Sequence, residues 1–255
     1  MSFGFSEEES RRYARNVILP EVGWPGQERW RAARVAVVGA GGIGSAALLY
    51  LAAAGVGHLR VIDGDRVELS NLQRQVIHRT ADLDRPKAES ARNALAALNP
   101  HCRVETCEVR LEAANIRQVL TGHDLVLDAS DNFATRFLVA EACWQEKLVL
   151  VSAAANGLQG LLLVQDPKPG NPCYRCLLPE APDTPHLEGI LGAVAGLMGC
   201  LQATETLKLL LGRGSDLTRR CLSYDGLKTR FHSLAREPKP DCPLCGGKPD
   251  SSLKK

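Results

Sequence analysis

The stretch Arg34-Val-Ala-Val-Val-Gly39-Ala-Gly41-Gly42-Ile-Gly44 decides the fold of this chain. A short run of β-branched residues leads directly into a Gly-x-Gly-x-x-Gly loop, which is typical of a buried parallel strand followed by a tight turn and a helix. Glycine is needed in such a loop because the backbone must turn sharply and approach a phosphate without an intervening Cβ. The first turn of the following helix then offers free N–H groups to the anion. The stretch therefore predicts a nucleotide-binding βαβ unit.

Beyond this stretch, the chain up to residue 155 alternates short apolar segments with longer amphipathic ones. The predicted strands are 59–63, 104–109, 124–128 and 148–152, and the predicted helices are 43–54, 85–99, 112–120 and 132–146. This order indicates right-handed crossovers and a doubly wound, Rossmann-like α/β sheet. After residue 155 the pattern changes, because 158–165 and 221–234 look like antiparallel strands around a long apolar helix over 191–211. We therefore expect the Rossmann-like sheet to continue into a mixed or antiparallel second half.

Composition excludes several classes of protein. Of the 255 residues, 45% are hydrophobic and 24% are charged, which is the balance of a soluble globular chain rather than a disordered one. The formal net charge is +2 and aromatic residues make up 5%, so neither charge nor base stacking indicates a nucleic-acid partner. No apolar run approaches the roughly 18 residues of a membrane span. Segment 1–15 contains Glu7, Glu8 and Glu9 but no apolar core, so it does not resemble a signal peptide. We expect a cytoplasmic protein that binds neither nucleic acid nor membrane.

An acidic residue follows the glycine loop at the distance expected for a nucleotide-binding fold. Asp63 ends the second predicted strand, 19 residues beyond Gly44, where its carboxylate can accept hydrogen bonds from a ribose. Without that acid, a glycine turn that only packs a helix on a strand would be the simpler interpretation. The two features together do not distinguish NAD, FAD, S-adenosylmethionine and ATP.

The residues that follow favour a triphosphate. Asp65, Asn71, Arg74, Gln75 and Lys87 come within a short stretch after the ribose acid. An Arg and a Lys that converge there suit displacement at an α-phosphate, because fixed cations stabilise the charge that spreads over its oxygens. A nicotinamide site has little use for them. Taken singly, either cation also fits a solvated loop or a helix end.

Several separated motifs together resemble one known family. They are Asp63-Gly-Asp65, Ser70-Asn-Leu-Gln-Arg74-Gln75, Arg85-Pro-Lys87-Ala and Asp128-Ala-Ser-Asp131-Asn132, with Arg12-Tyr-Ala-Arg15-Asn before them and Gly189-Ile-Leu-Gly192 after them. In this order they resemble the MoeB/ThiF family, the bacterial relatives of ubiquitin-activating enzymes, over roughly residues 8–247. The resemblance implies an adenylyltransferase. ATP would adenylate the C-terminal glycine carboxylate of a small ubiquitin-like sulfur-carrier protein ending in Gly-Gly, with release of pyrophosphate, for thiocarboxylate formation in molybdopterin, thiamin or related sulfur biosynthesis.

The resemblance also implies roles for individual residues. Asp63 would hold the ribose, and Asp131 would carry Mg²⁺. Arg74 and Lys87 would stabilise the charge that develops on the phosphates, and Arg15 would reach the site of the partner subunit in a homodimer. The implied nucleotide-binding set is Gly39, Gly41, Gly42, Gly44, Asp63, Asp65, Asn71, Arg74, Gln75, Lys87, Asp131 and Asn132. From the residues alone, the Asp-Asn pair at Asp131 fits a helix cap equally well.

Four of the nine cysteines form two Cys-x-x-Cys pairs, Cys173-Tyr-Arg-Cys176 and Cys242-Pro-Leu-Cys245. Two such pairs supply the four thiolates of a closed, tetrahedral structural Zn²⁺ site, and neighbouring prolines and glycines suit tight turns around a metal. A redox-active pair is the alternative, but two pairs without an open coordination position favour a structural site that clamps the C-terminal segment onto the second half. The remaining cysteines are predicted to be small core or surface thiols: Cys102, Cys107, Cys143, Cys200 and Cys221.

The chain departs from the family pattern at one loop. Many members carry a cysteine just before the helix that begins near Gly192, but residues 183–189, Asp-Thr-Pro-His-Leu-Glu-Gly, contain none. We therefore expect no covalent adduct between enzyme and carrier. Because the sequence leaves no room for a rhodanese domain, we also expect sulfur to come from a separate donor, either a rhodanese or a cysteine desulfurase.

The motifs divide the chain into parts of one integrated ThiF-type domain. We expect an N-terminal helical arm over 1–30, a nucleotide-binding part over 31–155, a carrier-binding and zinc part over 156–247, and a tail over 248–255. Other functions stay open at this level. A related enzyme that adenylates a small molecule or a modified tRNA base, as the threonylcarbamoyl-adenosine dehydratases do, is one of them. A nucleotide-binding scaffold without catalysis and a nicotinamide oxidoreductase are the others.

Overall fold

One mixed sheet organises the computed structural model, which describes residues 4–181 and 189–246. Its strands are β1 (Arg34–Val38), β2 (His58–Ile62), β3 (Arg103–Cys107), β4 (Leu125–Asp128), β5 (Val149–Asn156), β6 (Gln159–Gln165), β7 (Arg220–Asp225) and β8 (Arg230–Ala235). The α-helices are α1 (Glu7–Arg12), α2 (Ala14–Val17), α3 (Gly23–Ala32), α4 (Gly42–Ala54), α5 (Lys87–Leu98), α6 (Ile116–Leu120), α7 (Phe133–Gln145), α8 (Tyr174–Leu177) and α9 (Gly192–Leu210). Across these described ranges the strand order is β3-β2-β1-β4-β5-β6-β7-β8.

The first half of the sheet is parallel and the second half is antiparallel. Strands β3, β2, β1, β4 and β5 run in the same direction, whereas β6, β7 and β8 each pair antiparallel with the strand before them. The predicted change after residue 155 is therefore confirmed, because β5 ends there and turns back as β6. The strand order reverses between β1 and β4, and such a switch point leaves a crevice at the carboxyl ends of the strands.

Helices cover both faces of the parallel half, as the uninterrupted apolar strands require. Val35 and Val37 on β1 pack into the core beneath α4, α5 and α9, whereas Ala36 and Val38 pack into the core beneath α6 and α7. This alternation follows from the two-residue period of a strand, which sends successive side chains to opposite faces. Because both faces are filled with apolar side chains, the polar groups of the strands are left at their ends, where a site can form.

Helix α9 links the second half of the chain to the helix that follows the glycine loop. Gly199 allows α9 to lie directly on α4, since a Cβ at this position would lie 2.2 Å from the carbonyl oxygen of Ile43. On α3, the indole Nε1 of Trp30 donates a hydrogen bond of 3.1 Å to the carbonyl oxygen of Leu207 on α9. Helix α9 thus fixes the position of both α4 and the N-terminal arm.

Several sequence-based boundaries are wrong. The strand predicted over 148–152 continues to Asn156 as β5, and the strand predicted over 104–109 ends at Cys107 as β3. The strand predicted over 221–234 is two strands, β7 and β8, joined by a tight turn in which the Asp225 carboxylate accepts hydrogen bonds from the N–H groups of Leu227 and Lys228 at 3.1 and 3.2 Å. The helix predicted from residue 112 begins only at Ile116. A turn precedes it, because the side chain of Asn115 binds the backbone of both Glu112 and Arg110.

Some sequence-based expectations concern residues outside the described ranges. Most of the predicted loop over 179–188 and the predicted tail over 248–255 lie there. Among the helices that are described, none combines the length and the apolar character needed to cross a bilayer.

Candidate active site

A cleft of about 670 Å³ opens at the carboxyl edge of the parallel strands, where the strand order reverses. Doubly wound sheets bind their ligands at this point. The predicted site residues that line the cleft are Gly39, Gly41, Gly42, Asp63, Asp65, Arg74, Gln75, Lys87, Asp131 and Asn132. The structure therefore brings together residues that are up to 93 positions apart in the sequence.

Three of the predicted residues do not line the cleft. Gly44 shapes the loop instead, since a Cβ there would lie 1.9 Å from the carbonyl oxygen of Gly39. Asn71 is buried, and its carbonyl oxygen accepts hydrogen bonds from the N–H groups of Arg74 and Gln75, which sets the turn that presents both side chains. Arg15 is exposed on α2 and lies outside the cleft of its own chain.

The glycine loop is pressed against its surroundings at two points. Gly39 has a φ of +93°, and a Cβ there would lie 2.8 Å from the carbonyl oxygen of Ala129 at the end of β4. Gly42 begins α4 between two neighbours, 3.0 Å from the Cβ of Ala195 and 3.4 Å from the Cγ of Arg74 by the same measure. Larger residues would therefore push the loop away from β4 and displace the stem of Arg74.

Asp63 and Lys87 form the charged floor of the cleft. The Asp63 carboxylate accepts hydrogen bonds from the N–H groups of Ala40, at 2.8 Å, and Asp65, at 2.9 Å. Burial raises the pKa of Asp63, and the nearby charge of Lys87 works in the opposite direction. Lys87 is itself buried, and its ammonium lies 3.2 Å from the Asp65 carboxylate. A cation held this firmly beside an acid needs little reorganisation when an anion enters.

A buried polar network fixes the segment that follows β4. The Asp128 carboxylate accepts hydrogen bonds from the Ser130 N–H and hydroxyl and from the Ser152 hydroxyl, at 3.1, 2.6 and 2.8 Å. The guanidinium of Arg136 lies 3.7 Å from the same carboxylate and also donates to the carbonyl oxygen of Ser130. Gln202 on α9 donates to the carbonyl oxygen of Asp128 at 2.8 Å. The segment is thus held rigidly from three elements.

The next two residues take separate roles at the rim of the cleft. Asn132 is the N-cap of α7, and its side-chain oxygen accepts a hydrogen bond of 2.8 Å from the N–H of Thr135. Asp131 does not cap the helix. Within residues 4–181 and 189–246, its exposed carboxylate accepts one long hydrogen bond of 3.4 Å, from the side chain of Asn132. Asp131 therefore presents a carboxylate to the cleft that a cation can use.

The cleft also contains residues that sequence reasoning missed. They include Arg110, Ser130, Thr135, Arg136 and Asn156. Arg110 lies 3.5 Å from the Asp65 carboxylate at the outer rim, while Arg136 is buried behind the 128–132 segment. The one available signal was an arginine on the apolar face of the helix predicted over 132–146, which needs a buried acceptor to be tolerated there.

The four cysteines of the two Cys-x-x-Cys pairs converge on one point. Their sulfur atoms all lie within 4.8 Å of one another, with Sγ–Sγ separations of 3.4 Å for Cys173–Cys242 and 3.2 Å for Cys176–Cys245. Bonds of ~2.3 Å from four thiolates to a central ion correspond to sulfur separations of roughly 3.8 Å. The cluster therefore has the size and the donor chemistry of a tetrahedral metal site, and it joins α8 to the segment after β8.

A buried arginine braces this cluster. Arg236 donates hydrogen bonds to the carbonyl oxygens of Pro172 and Cys173 at 3.2 and 3.1 Å, and to those of Val164 and Leu217 at 3.1 and 3.2 Å. Arg236 is almost fully buried, with only 4% of its surface exposed. The arginine therefore ties the first Cys-x-x-Cys pair to β6 and to the end of β8.

The fold and the cleft define a class of protein. A doubly wound sheet, a glycine loop, an acid directly after β2 and fixed cations at one edge form the arrangement with which α/β proteins bind a nucleotide through its phosphates. Residues 13–244 match the ThiF family, and the chain belongs to that family.

Two relatives are 45% identical to this protein and align with nearly its whole length. The SAMP-activating enzyme E1 of Haloferax volcanii is 45% identical over 96% of this chain and 92% of its own length. The sulfur carrier protein adenylyltransferase of Thermus thermophilus is also 45% identical, over 96% of this chain and 94% of its own. Among solved structures, E. coli MccB with MccA-N7isoASN superimposes with a TM-score of 0.84 at 20% identity, over 96% of this chain and 76% of that one. That likeness concerns the fold.

Proposed function

We propose that this protein is an ATP-dependent adenylyltransferase that activates the C-terminal glycine carboxylate of a small ubiquitin-like sulfur-carrier protein. The observation that carries the proposal is the convergence of the glycine loop, Asp63, Arg74, Lys87 and Asp131 in one cleft at the switch point of the sheet. The names of the two relatives at 45% identity support the same activity and the same kind of partner. The product would serve thiocarboxylate formation in molybdopterin, thiamin or related sulfur biosynthesis.

In the reaction, a carboxylate oxygen of the carrier attacks the α-phosphorus of ATP. A new P–O bond forms, the bond from that phosphorus to the bridging oxygen breaks, and pyrophosphate leaves with the bonding electrons. The oxygens around the phosphorus accumulate charge during this displacement, which fixed cations stabilise. Lys87, held beside Asp65, and Arg74, packed over Gly42, are the cations placed to do so.

The remaining residues of the cleft position the nucleotide. The N–H groups at the start of α4 would bind the phosphates, and the Asp63 carboxylate would accept hydrogen bonds from the ribose hydroxyls through its free lone pairs. Gln75 and Asn132 line the same cleft. Mg²⁺ bound with the nucleotide would neutralise phosphate charge, and the exposed Asp131 carboxylate is the ligand that the chain offers to it.

A homodimer accounts for the position of Arg15. This residue is exposed on α2, and two apolar side chains that follow within four residues, Ile18 and Leu19, are 66% and 50% exposed. A cation on an apolar, uncovered surface suits insertion into the cleft of a second copy. The four-cysteine cluster would hold a structural Zn²⁺, which supplies four metal–thiolate bonds that clamp the C-terminal segment in place. Sulfur would come from a separate donor, a rhodanese or a cysteine desulfurase.

Isotope exchange tests the proposal directly. We expect the purified protein to exchange labelled pyrophosphate into ATP when a carrier ending in Gly-Gly is supplied, because only then can an acyl-adenylate form and reverse. The matched control is the same carrier without its two terminal glycines, which should support no exchange. Equal exchange rates with and without the carrier would contradict the proposal and favour a small-molecule substrate.

A further inference from the structure

We infer that His78 is a positioning residue for the nucleotide: by holding the carbonyl group of Ala40, it turns the N–H of Gly41 into the cleft. The inference rests on the proposed function, because it assigns that N–H to a phosphate of ATP. His78 lies in the segment between β2 and α5, and it does not line the cleft itself.

The contacts of His78 fix the hydrogen on its ring. Its Nε2 lies 2.9 Å from the carbonyl oxygen of Ala40, and its Nδ1 lies 2.8 Å from the hydroxyl of Ser90. A carbonyl oxygen can only accept, so Nε2 must carry the hydrogen, and the hydroxyl of Ser90 donates to Nδ1 of the neutral ring. His78 and Ser90 are both buried, at 5% and 1% exposure, so water does not compete for either hydrogen bond of the ring. Burial also lowers the pKa of His78, which favours the neutral ring.

Because the peptide bond is planar, fixing the Ala40 carbonyl also fixes the direction of the Gly41 N–H. An amide is planar, and in its trans form the C=O of one residue and the N–H of the next point in opposite directions. The described residues contain no cis peptide bond. Because His78 holds the Ala40 carbonyl toward the interior, the Gly41 N–H must point away from the interior, and Gly41 lines the cleft.

Ala40 is fixed on its other side as well. Its own N–H donates to the Asp63 carboxylate at 2.8 Å, so both peptide groups that flank Ala40 are anchored. Ser90, the second partner of His78, lies one turn after Lys87 on α5. His78 therefore fixes the position of the glycine loop relative to α5, the helix that begins with Lys87. A donor that is oriented before the nucleotide arrives need not be reoriented during binding.

Two substitutions separate positioning from packing. Asparagine at 78 keeps a polar group near the Nδ1 position, toward Ser90, but is too short to reach Ala40. Glutamine at 78 places an amide donor near the Nε2 position, where it can still bind the Ala40 carbonyl. We expect His78→Asn to raise the Kd of an ATP analogue with a methylene group between the α- and β-phosphorus about tenfold, or about 1.4 kcal/mol, which is a typical hydrogen-bond contribution. We expect His78→Gln to change it less than about threefold.

His123 provides the matched control. It is also 5% exposed and binds a backbone carbonyl, that of Leu120 at 3.0 Å, but it precedes β4 at the opposite edge of the sheet. We expect His123→Gln, whose amide no longer lies near the Nδ1 position that binds Leu120, to lower the midpoint of thermal unfolding without changing the Kd of the analogue. A second readout uses the native chain, because the ¹⁵N chemical shifts of the His78 ring report which nitrogen carries the hydrogen, and we expect Nε2.

The outcomes are distinct. Equal increases in Kd for His78→Asn and His78→Gln, or no increase in either, would show that His78 only fills space and would overturn the inference. A ring hydrogen on Nδ1 with a bare Nε2 would overturn it as well, even if the variants fail to fold. Failure of the unmodified protein to bind the analogue would instead contradict the proposed function.

Discussion

Asp131 and Asn132 are neighbours at the rim of the cleft, but only one of them supports the fold. Asn132 caps α7, whereas the carboxylate of Asp131 is exposed and makes no strong contact in the described part of the chain. This contrast supports the proposed role of Asp131 as a ligand for Mg²⁺, whereas Asn132 stabilises the start of α7.

We predict that Asp131→Asn lowers the rate of carrier-dependent pyrophosphate exchange by at least about 100-fold at saturating Mg²⁺, because a metal-binding carboxylate is lost. The unfolding midpoint should stay unchanged. The control, Asn132→Ala, should reduce the free energy of unfolding by about 1 kcal/mol through the lost cap. Full exchange activity in Asp131→Asn would show that this carboxylate has no catalytic part.

The five cysteines outside the four-cysteine cluster predict a reaction that forms no covalent bond between enzyme and carrier. Burial raises the pKa of the Cys102 thiol to about 12 and also raises that of Cys107, Cys143, Cys200 and Cys221. A thiol kept protonated is a poor nucleophile, and no cysteine of the described ranges lines the cleft. The loop over 179–188 contains no cysteine in its sequence either.

After incubation with ATP and carrier, intact-mass analysis under non-reducing conditions should therefore show only the separate masses of the two proteins. A thiol-sensitive species at their summed mass would contradict this expectation. Peptide mapping of that species would then identify the cysteine that forms the bond.

At the scale of elements, the contact between α4 and α9 depends on one glycine. A Cβ at Gly199 would collide with the backbone of α4, whereas Gly196, one turn earlier on the same helix, has open space around it. We predict that Gly199→Ala lowers the free energy of unfolding by about 1–3 kcal/mol, because the helices must separate. Gly196→Ala should be neutral or stabilising by up to about 1 kcal/mol.

Denaturant unfolding of the two variants measures this difference. Since α4 begins at the glycine loop, the Gly199 variant should also bind ATP more weakly than the Gly196 variant. Similar stability of the two would show that α9 can shift without strain.

The four-cysteine cluster makes a second prediction for the elements. We expect about one zinc per chain, because the cluster offers one set of four thiolates. Cys242→Ser should remove the metal and lower the unfolding midpoint more than it affects ATP binding, since no cluster residue lines the cleft. Cys200→Ser, which changes a cysteine on α9 outside the cluster, should keep the metal. Metal analysis that finds no zinc, with freely titrating thiols, would contradict the assignment.

For the whole molecule, two buried histidines predict instability in acid. His58 and His123 stack with ring centroids 6.1 Å apart at the edge of the sheet opposite the cleft. Burial lowers the pKa of both histidines, and the charges of Arg34 and Arg60 lower both values further. For His58 alone, Glu105 raises the pKa and Arg103 lowers it. The unfolded chain therefore binds more protons than the folded one once the pH falls below about 6.5.

Stability should consequently fall as the pH drops from 7.5 to 5, by up to about 1.4 kcal/mol for each unit by which folding lowers a pKa. The double variant His58→Gln/His123→Gln should weaken this dependence without abolishing it, because burial also lowers the pKa of His78. The variant His232→Gln, on the exposed strand β8, should leave the dependence unchanged. Unfolding midpoints across this pH range measure the effect. An unchanged slope in the double variant would assign the acid sensitivity to other groups.

Much of this molecule follows from local sequence patterns. The parallel half was predictable because continuous apolar strands, helical periodicity and a glycine loop each report their structure within a few residues. The hairpin of β7 and β8 was missed although Asp225-Gly226 is a turn signal, because the apolar residues on both sides suggested one continuous strand. His78 and the Asp128–Arg136 network could not be predicted, because their partners lie in other elements and are chosen by tertiary packing.

Strand β5 has a consequence for protein engineering. It pairs parallel with β4 on one side and antiparallel with β6 on the other, and its last residue, Asn156, reaches the cleft. The half that carries the glycine loop and the half that carries the cysteine cluster therefore share a strand rather than a linker. Partner choice cannot be transplanted between relatives as a detachable module, because a chimera joined near residue 155 is viable only if both parents place β5 in the same register.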